Sequence, residues 1–180
     1  VFGVGNPEAR IYFIGEAPGF TEDLLGRPFV GRAGKLLDKL ISSIGFKREN
    51  VYISNIVRFR PPDNRDPEPS EIVSFQPYVD QEIEIVDPTV IVTLGRFSMG
   101  KFMPFEKISG IHGTPRSIIW KGKNRLVIPM YHPAAALRAT SILSLLEQDY
   151  QVITNELQKI EELEKEQAKE AKKPKQDSLF

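Results

Sequence analysis

The chain has 180 residues, with 24 basic and 24 acidic side chains, two histidines and no cysteine. That length suits one compact core with some chain to spare, and the balanced charge gives no signature of a nucleic-acid or membrane-surface partner. The missing cysteine excludes disulfides, thiolate nucleophiles and thiolate-held zinc or iron–sulfur sites within these residues, and no apolar run approaches the roughly 20 residues that cross a bilayer, so a soluble, cytoplasmic monomer is expected.

Residues 10–15, RIYFIG, are β-branched and aromatic and run into Glu16-Ala-Pro-Gly, whose proline and glycine end the strand and start a shaped loop. Over 33–44 the apolar residues Ala33, Leu36, Leu37, Leu40, Ile41 and Ile44 recur at helical spacing, with Gly45 as the stop. Residues 51–57, VYISNIV, read as a second strand, followed by a proline-rich loop over 61–69. Ser70 then caps a helix that carries Ile72, Phe75, Val79, Ile83 and Val86 inward. Residues 90–94, VIVTL, form an uninterrupted apolar run, the pattern of a strand covered on both faces. Residues 126–130 repeat it and end at Tyr131-His132-Pro133.

Alternating strands and helices predict an α/β chain: a three-layer α/β/α sandwich around a central, mostly parallel four-stranded sheet. Ligands in such folds sit beyond the carboxyl ends of the strands, and each unusual loop follows such an end, so the loops should converge on one cleft. The expected division is a domain over 1–155 and a charged helical or disordered tail over 156–180.

Four strings stand in order along the chain: GEAPGFTED at 15–23, GRPFVGRAGKLLD at 26–38, NIVRFRPPDNRDP at 55–67 and YHPAAALR at 131–138. Together they resemble the thermophile-type, family 4 uracil-DNA glycosylases of the uracil-DNA glycosylase superfamily. The resemblance implies a monofunctional glycosylase that hydrolyses the N-glycosidic bond of a flipped-out deoxyuridine and starts base excision repair on uracil-containing DNA. Two other readings stay open: a member that binds damage without excising it, and a glycosylase for another deaminated base.

Such an enzyme must rotate the nucleotide into a pocket and distinguish uracil by its edge. An amide offers a donor to O4 and an acceptor to N3–H at once, and Asn55 matches the family's uracil-reading residue; read alone, it is also a strand-end asparagine satisfying its own turn. Phe29 matches the aromatic on which the base stacks, although a phenylalanine between proline and valine is otherwise a core residue. Cleavage places positive charge on the sugar and negative charge on the uracil oxygens. His132 matches the donor to O2, and Glu16 the acid that positions or activates water. Glu22 and Asn64 match a pair expected to hold two loops in register by a hydrogen bond. Ala17 and Gly19 would bring backbone amides near the base or phosphate.

Leu137 and Arg138 follow the HPAAA string where the family inserts a loop into the duplex, and either fills the gap of the flipped base or simply starts a helix. Arg58, Arg60, Arg65 and Arg96 lie near these loops and predict a basic rim. His112, in GIHGTPR, is ambiguous: a related family traps uracil covalently through a histidine in a nearby loop, but that family's basic loop and its glutamine-containing first motif are absent here.

The family normally holds an iron–sulfur cluster through four cysteines, two of them at positions matching Phe59 and Phe75. No cofactor or metal is therefore expected, and the two rings should pack together in the cluster's place. The last residues, with Gln176, Leu179 and Phe180, resemble the short peptide that docks on a sliding clamp, carried on a charged linker.

Overall fold

The computed structural model describes residues 1–171. Six strands form one sheet: β1 (Val4–Gly5), β2 (Ile11–Gly15), β3 (Tyr52–Asn55), β4 (Val90–Leu94), β5 (Arg116–Trp120) and β6 (Lys123–Met130), in the spatial order β1-β3-β2-β4-β6-β5. The inner four run parallel and are the four strands expected from sequence. Two antiparallel edges raise the expected count from four to six. β1 is too short to carry a period. β5 returns into β6 through Lys121 and Gly122, both with positive φ (48° and 75°), the geometry of a two-residue hairpin turn.

Side chains alternate across the parallel strands and divide the core into two layers. Ile11 and Phe13 of β2 face α2 (Arg32–Ser43) and α7 (Thr140–Ala171), where Leu37, Ile41, Leu146, Tyr150 and Ile153 are buried. Tyr12 and Ile14 face α3 (Pro69–Val86) on the other side, against Val79 and Ile83. The remaining helices are short: α1 (Phe20–Leu25), α4 (Arg96–Gly100), α5 (Ile108–Ile111) and α6 (Pro133–Ala136).

Several local expectations need correction. The cap of α3 is Glu68 rather than Ser70: the Glu68 amide donates to Glu71 Oε2 at 2.7 Å, and Pro69 takes the first helical position, where its missing N–H costs nothing. Arg58 does not join a basic rim. It turns inward, where Glu82 lies 3.0 Å away and Ser54 accepts a further bond, while the Tyr12 hydroxyl donates to Glu82 at 2.5 Å. A buried guanidinium needs such partners, and α3 supplies the carboxylate while β3 supplies the hydroxyl. α7 runs on from the expected domain into the expected helical tail, with Leu157 buried just past residue 155 and Glu161 paired at 2.5 Å with Arg10, the residue before β2. No helix among the described residues is long and apolar enough to cross a membrane. Gln176, Leu179 and Phe180, the expected clamp peptide, lie outside the described residues.

Candidate active site

After β2 the chain crosses one face of the sheet to β3, whereas after β4 it continues on the other face toward β6. Where connections diverge in this way a parallel sheet opens a crevice. The loops beyond β2, β3, β4 and β6 line a cavity there of about 560 Å³, within the range that holds a small ligand. Its walls bring together Glu16, Ala17, Gly19, Glu22, Phe29, Asn55, Asn64, Arg65, His132 and Arg138 from the sequence-derived set. The β2 and β3 loops stay zipped beyond their strands, with Ile56 and Val57 amides donating to the Gly15 and Glu16 carbonyls, both at 3.0 Å.

Asn55 ends β3 and is 2% exposed, and its Oδ1 has no hydrogen-bond partner among the described residues. An acceptor buried without a donor is costly, so this atom is an unfilled place for an N–H. Gly15, opposite it, explains how the amide and Phe29 converge: a Cβ at residue 15 would stand 2.6 Å from Asn55 Oδ1 and 2.5 Å from Phe29 Cζ.

Phe29 has φ 50°, a strained backbone for a bulky residue, and its surroundings hold it there. Glu22 Oε1 accepts from the amides of Val30 (2.9 Å) and Gly31 (2.7 Å). Arg48 donates to the carbonyls of Phe29 (2.9 Å) and Pro28 (2.6 Å) and pairs with Asp38 at 2.7 Å. The expected Glu22–Asn64 bond is absent: Glu22 is taken by the Phe29 loop, and Asn64 Oδ1 accepts from Arg60 Nε at 2.7 Å. Sequence reasoning missed Arg48, because it reaches the loop from a separate turn and no local spacing links them.

His132 is the N-cap of α6, and its Nδ1 accepts from the Ala134 amide at 3.1 Å. With that nitrogen occupied as an acceptor, the neutral ring carries its proton on Nε2 and remains a donor. Burial pushes its pKa down to about 4, against a smaller upward pull from Glu22. The ring stacks on Phe29 with centroids 5.6 Å apart, and a Cβ at residue 95 would approach His132 Cβ to 3.2 Å, so Gly95 lets the β4 and β6 loops meet. Glu16 is pushed in the other direction, up to about 7, first by burial and then by the Asp66 carboxylate, with Arg96 opposing. Arg96 pairs with Asp66, so this carboxylate is also set by a contact that sequence reasoning did not find.

The uracil DNA glycosylase superfamily model matches residues 2–158 of this chain, a span that contains every loop of the cleft. The chain belongs to that superfamily. Among its relatives, a type-4 uracil-DNA glycosylase of Sulfurisphaera tokodaii is 48% identical over 161 residues, covering 84% of this chain and 71% of that protein. One of Archaeoglobus fulgidus is 45% identical over 156 residues, covering 84% and 78%. One of Thermotoga maritima is 46% identical over 143 residues, covering 78% and 73%.

This superfamily member does not offer cluster ligands at Phe59 and Phe75, since a phenyl ring cannot ligate iron and the chain has no cysteine. The rings do meet, with centroids 5.6 Å apart, but Phe59 is 71% exposed. A fully buried phenyl ring is worth about 1.5 to 3 kcal/mol, whereas the exposed Phe59 keeps only the low end of an aromatic pair, about 0.5 kcal/mol. Phe59→Ala should lower Tm by only about 1–2 °C in a thermal melt, and a drop several times larger would contradict this account.

The other basic residues expected at the rim are present but engaged. Arg65 is held by Glu71 through two bonds of 2.8 and 2.9 Å, and Arg96 by Asp66. Leu137 is 41% exposed and Arg138 is exposed beside it at the end of α6. His112 contacts Asp149 at 2.7 Å and lies against Tyr131, with ring centroids 4.7 Å apart.

Proposed function

We propose that this chain is a uracil-DNA glycosylase that hydrolyses the N-glycosidic bond of a deoxyuridine flipped into the cleft, releasing uracil and leaving an abasic site. The observation that carries the reading is the unpartnered Asn55 Oδ1 on the cavity wall beside Phe29 and His132. Uracil presents N3–H, a donor, to that acceptor and O4 to the amide NH₂, whereas cytosine presents an acceptor at position 3 and a donor at position 4. The relatives named above carry the same activity in their names.

In this reading Phe29 stacks against the base and His132 Nε2–H donates to O2 as negative charge develops there. A neutral donor suits the task because it does not protonate the leaving base prematurely. Glu16, ionised, takes a proton from the attacking water as its oxygen bonds to C1′ and the N-glycosidic bond breaks, the electron pair leaving with uracil. Ala17 and Gly19 border the base with backbone, Glu22 fixes the Phe29 loop, and Asn64 fixes Arg60. Leu137 and Arg138 contact the DNA around the flipped nucleotide, with Arg60 and Arg65 nearer the cleft. Docking of Gln176, Leu179 and Phe180 on a sliding clamp rests on sequence resemblance alone.

The test is alkaline cleavage of a labelled uracil oligonucleotide after incubation with the protein, beside His132→Ala. The parent chain should excise uracil, and the variant should do so about 100-fold more slowly, the usual loss when one oxyanion donor is removed, while still unfolding cooperatively at a Tm a few degrees lower because the α6 cap is lost. A folded parent chain that leaves uracil in place, or excises hypoxanthine or xanthine instead, would sink the proposal.

A further inference from the structure

Gly19 and Glu22 line the cleft, and between them Phe20 opens α1 with 62% of its surface exposed. The guanidinium of Arg60 lies 5.2 Å from its ring centroid. That guanidinium is anchored: its Nε donates to Asn64, which itself lines the cleft and has φ 52°. One turn further along α1, Leu24 is 73% exposed and extends the apolar strip away from the cavity. An exposed phenyl ring flanked by a fixed planar cation, both one step in sequence from cavity-lining residues, is arranged for a flat, electron-rich ligand next to whatever occupies the cavity.

We propose that Phe20, braced by Arg60, is a stacking platform for the nucleobase adjacent to the flipped nucleotide in single-stranded DNA, an inference that rests on the glycosylase reading above. Flipping strips the neighbouring base of one stacking partner. In a single strand nothing else replaces it, and the Phe20 face, continuous with the cleft rim, offers a substitute of the kind single-strand binders use without regard to base identity. The guanidinium protons of Arg60 not used by Asn64 are then placed for the phosphodiester that joins the two nucleotides. Phe20 is thus a binding residue outside the uracil pocket, and its effect should fall on affinity for the strand rather than on uracil recognition.

The test uses single-stranded oligonucleotides bearing 2′-fluoro-2′-deoxyuridine, which resists cleavage, with either ordinary bases or abasic analogues on both sides, and reads Kd by fluorescence anisotropy. With ordinary neighbours, Phe20→Ala should bind about tenfold more weakly than the parent chain, and Phe20→Trp should retain parental affinity. With abasic neighbours the gap between Phe20→Ala and parent should close to less than about twofold, because no base remains to stack. Equal binding by Phe20→Ala and parent with ordinary neighbours, or the same penalty with and without neighbouring bases, overturns the inference. Excision of ordinary deoxyuridine by the parent chain is measured alongside, so that failure of the glycosylase reading is seen separately from failure of the platform.

Discussion

Asn55→Asp is expected to excise uracil about a thousandfold or more slowly than the parent chain in a single-turnover assay at pH 8, while still folding. The Asn55 amide is almost fully buried, and its Oδ1 has no donor among the described residues. A carboxylate in its place has two acceptors and no donor, so the atom facing uracil O4 becomes repulsive where it was attractive. The same charge must sit in a site from which water is excluded, next to the Phe29 ring, and the cost of that rises steeply with burial. Sites that read a base by paired donors and acceptors discriminate by large factors because a mismatch leaves buried polar groups unpaired. Excision within about tenfold of the parent would show that Asn55 does not read the base.

Glu16→Gln should separate activity from stability in opposite directions. Its pKa of about 7, against the ordinary 4.5, means that the parent enzyme's kcat/KM rises roughly tenfold per pH unit below 7 and levels off above it, because the base must be ionised. The variant should be slower by about a hundredfold or more at pH 8 and should lose that rise. The stability effect has the other sign. The folded state holds this proton more tightly than the unfolded state, so the group's contribution is fully present below pH 4.5 and is lost as pH rises through 7. A neutral glutamine removes the penalty of ionisation, worth on the order of 1 kcal/mol once solvent screening at the cleft is allowed for. Glu16→Gln should therefore melt about 2–4 °C higher than the parent at pH 8 and no higher at pH 4, as differential scanning fluorimetry would report. A variant that is no more stable at pH 8 would place Glu16 in water, with an ordinary pKa.

The parallel strands were legible in the sequence because each is a run of residues buried on both faces and ends at a loop of unusual composition. The cleft was legible for the same reason: Glu16, Asn55 and His132 each stand at or just past a strand's carboxyl end. What stayed hidden depends on partners distant in sequence. Arg58 looks like a rim cation until α3 brings Glu82 beneath it, and Arg48 looks like a surface residue until it reaches the Pro28 and Phe29 carbonyls. Glu22 was assigned the wrong partner because the amides of Val30 and Gly31 compete for the same oxygen at short range. The Phe59–Phe75 pair illustrates a different limit: the family resemblance implied that the rings meet, but not that Phe59 would stay largely in solvent while Phe75 packs on the core.

The shortness of α6 has a mechanical corollary. Its four residues rise only about 6 Å, with the His132 ring fastened to its first turn and Leu137 standing at its far end. A helix that short keeps the two residues within about a turn and a half of each other, with the imidazole tied to the Ala134 amide at 3.1 Å. On the function proposed above, pressure from a nucleic-acid strand on Leu137 would be felt at the imidazole, so that seating the protein on damaged DNA and aiming its hydrogen-bond donor would become a single movement.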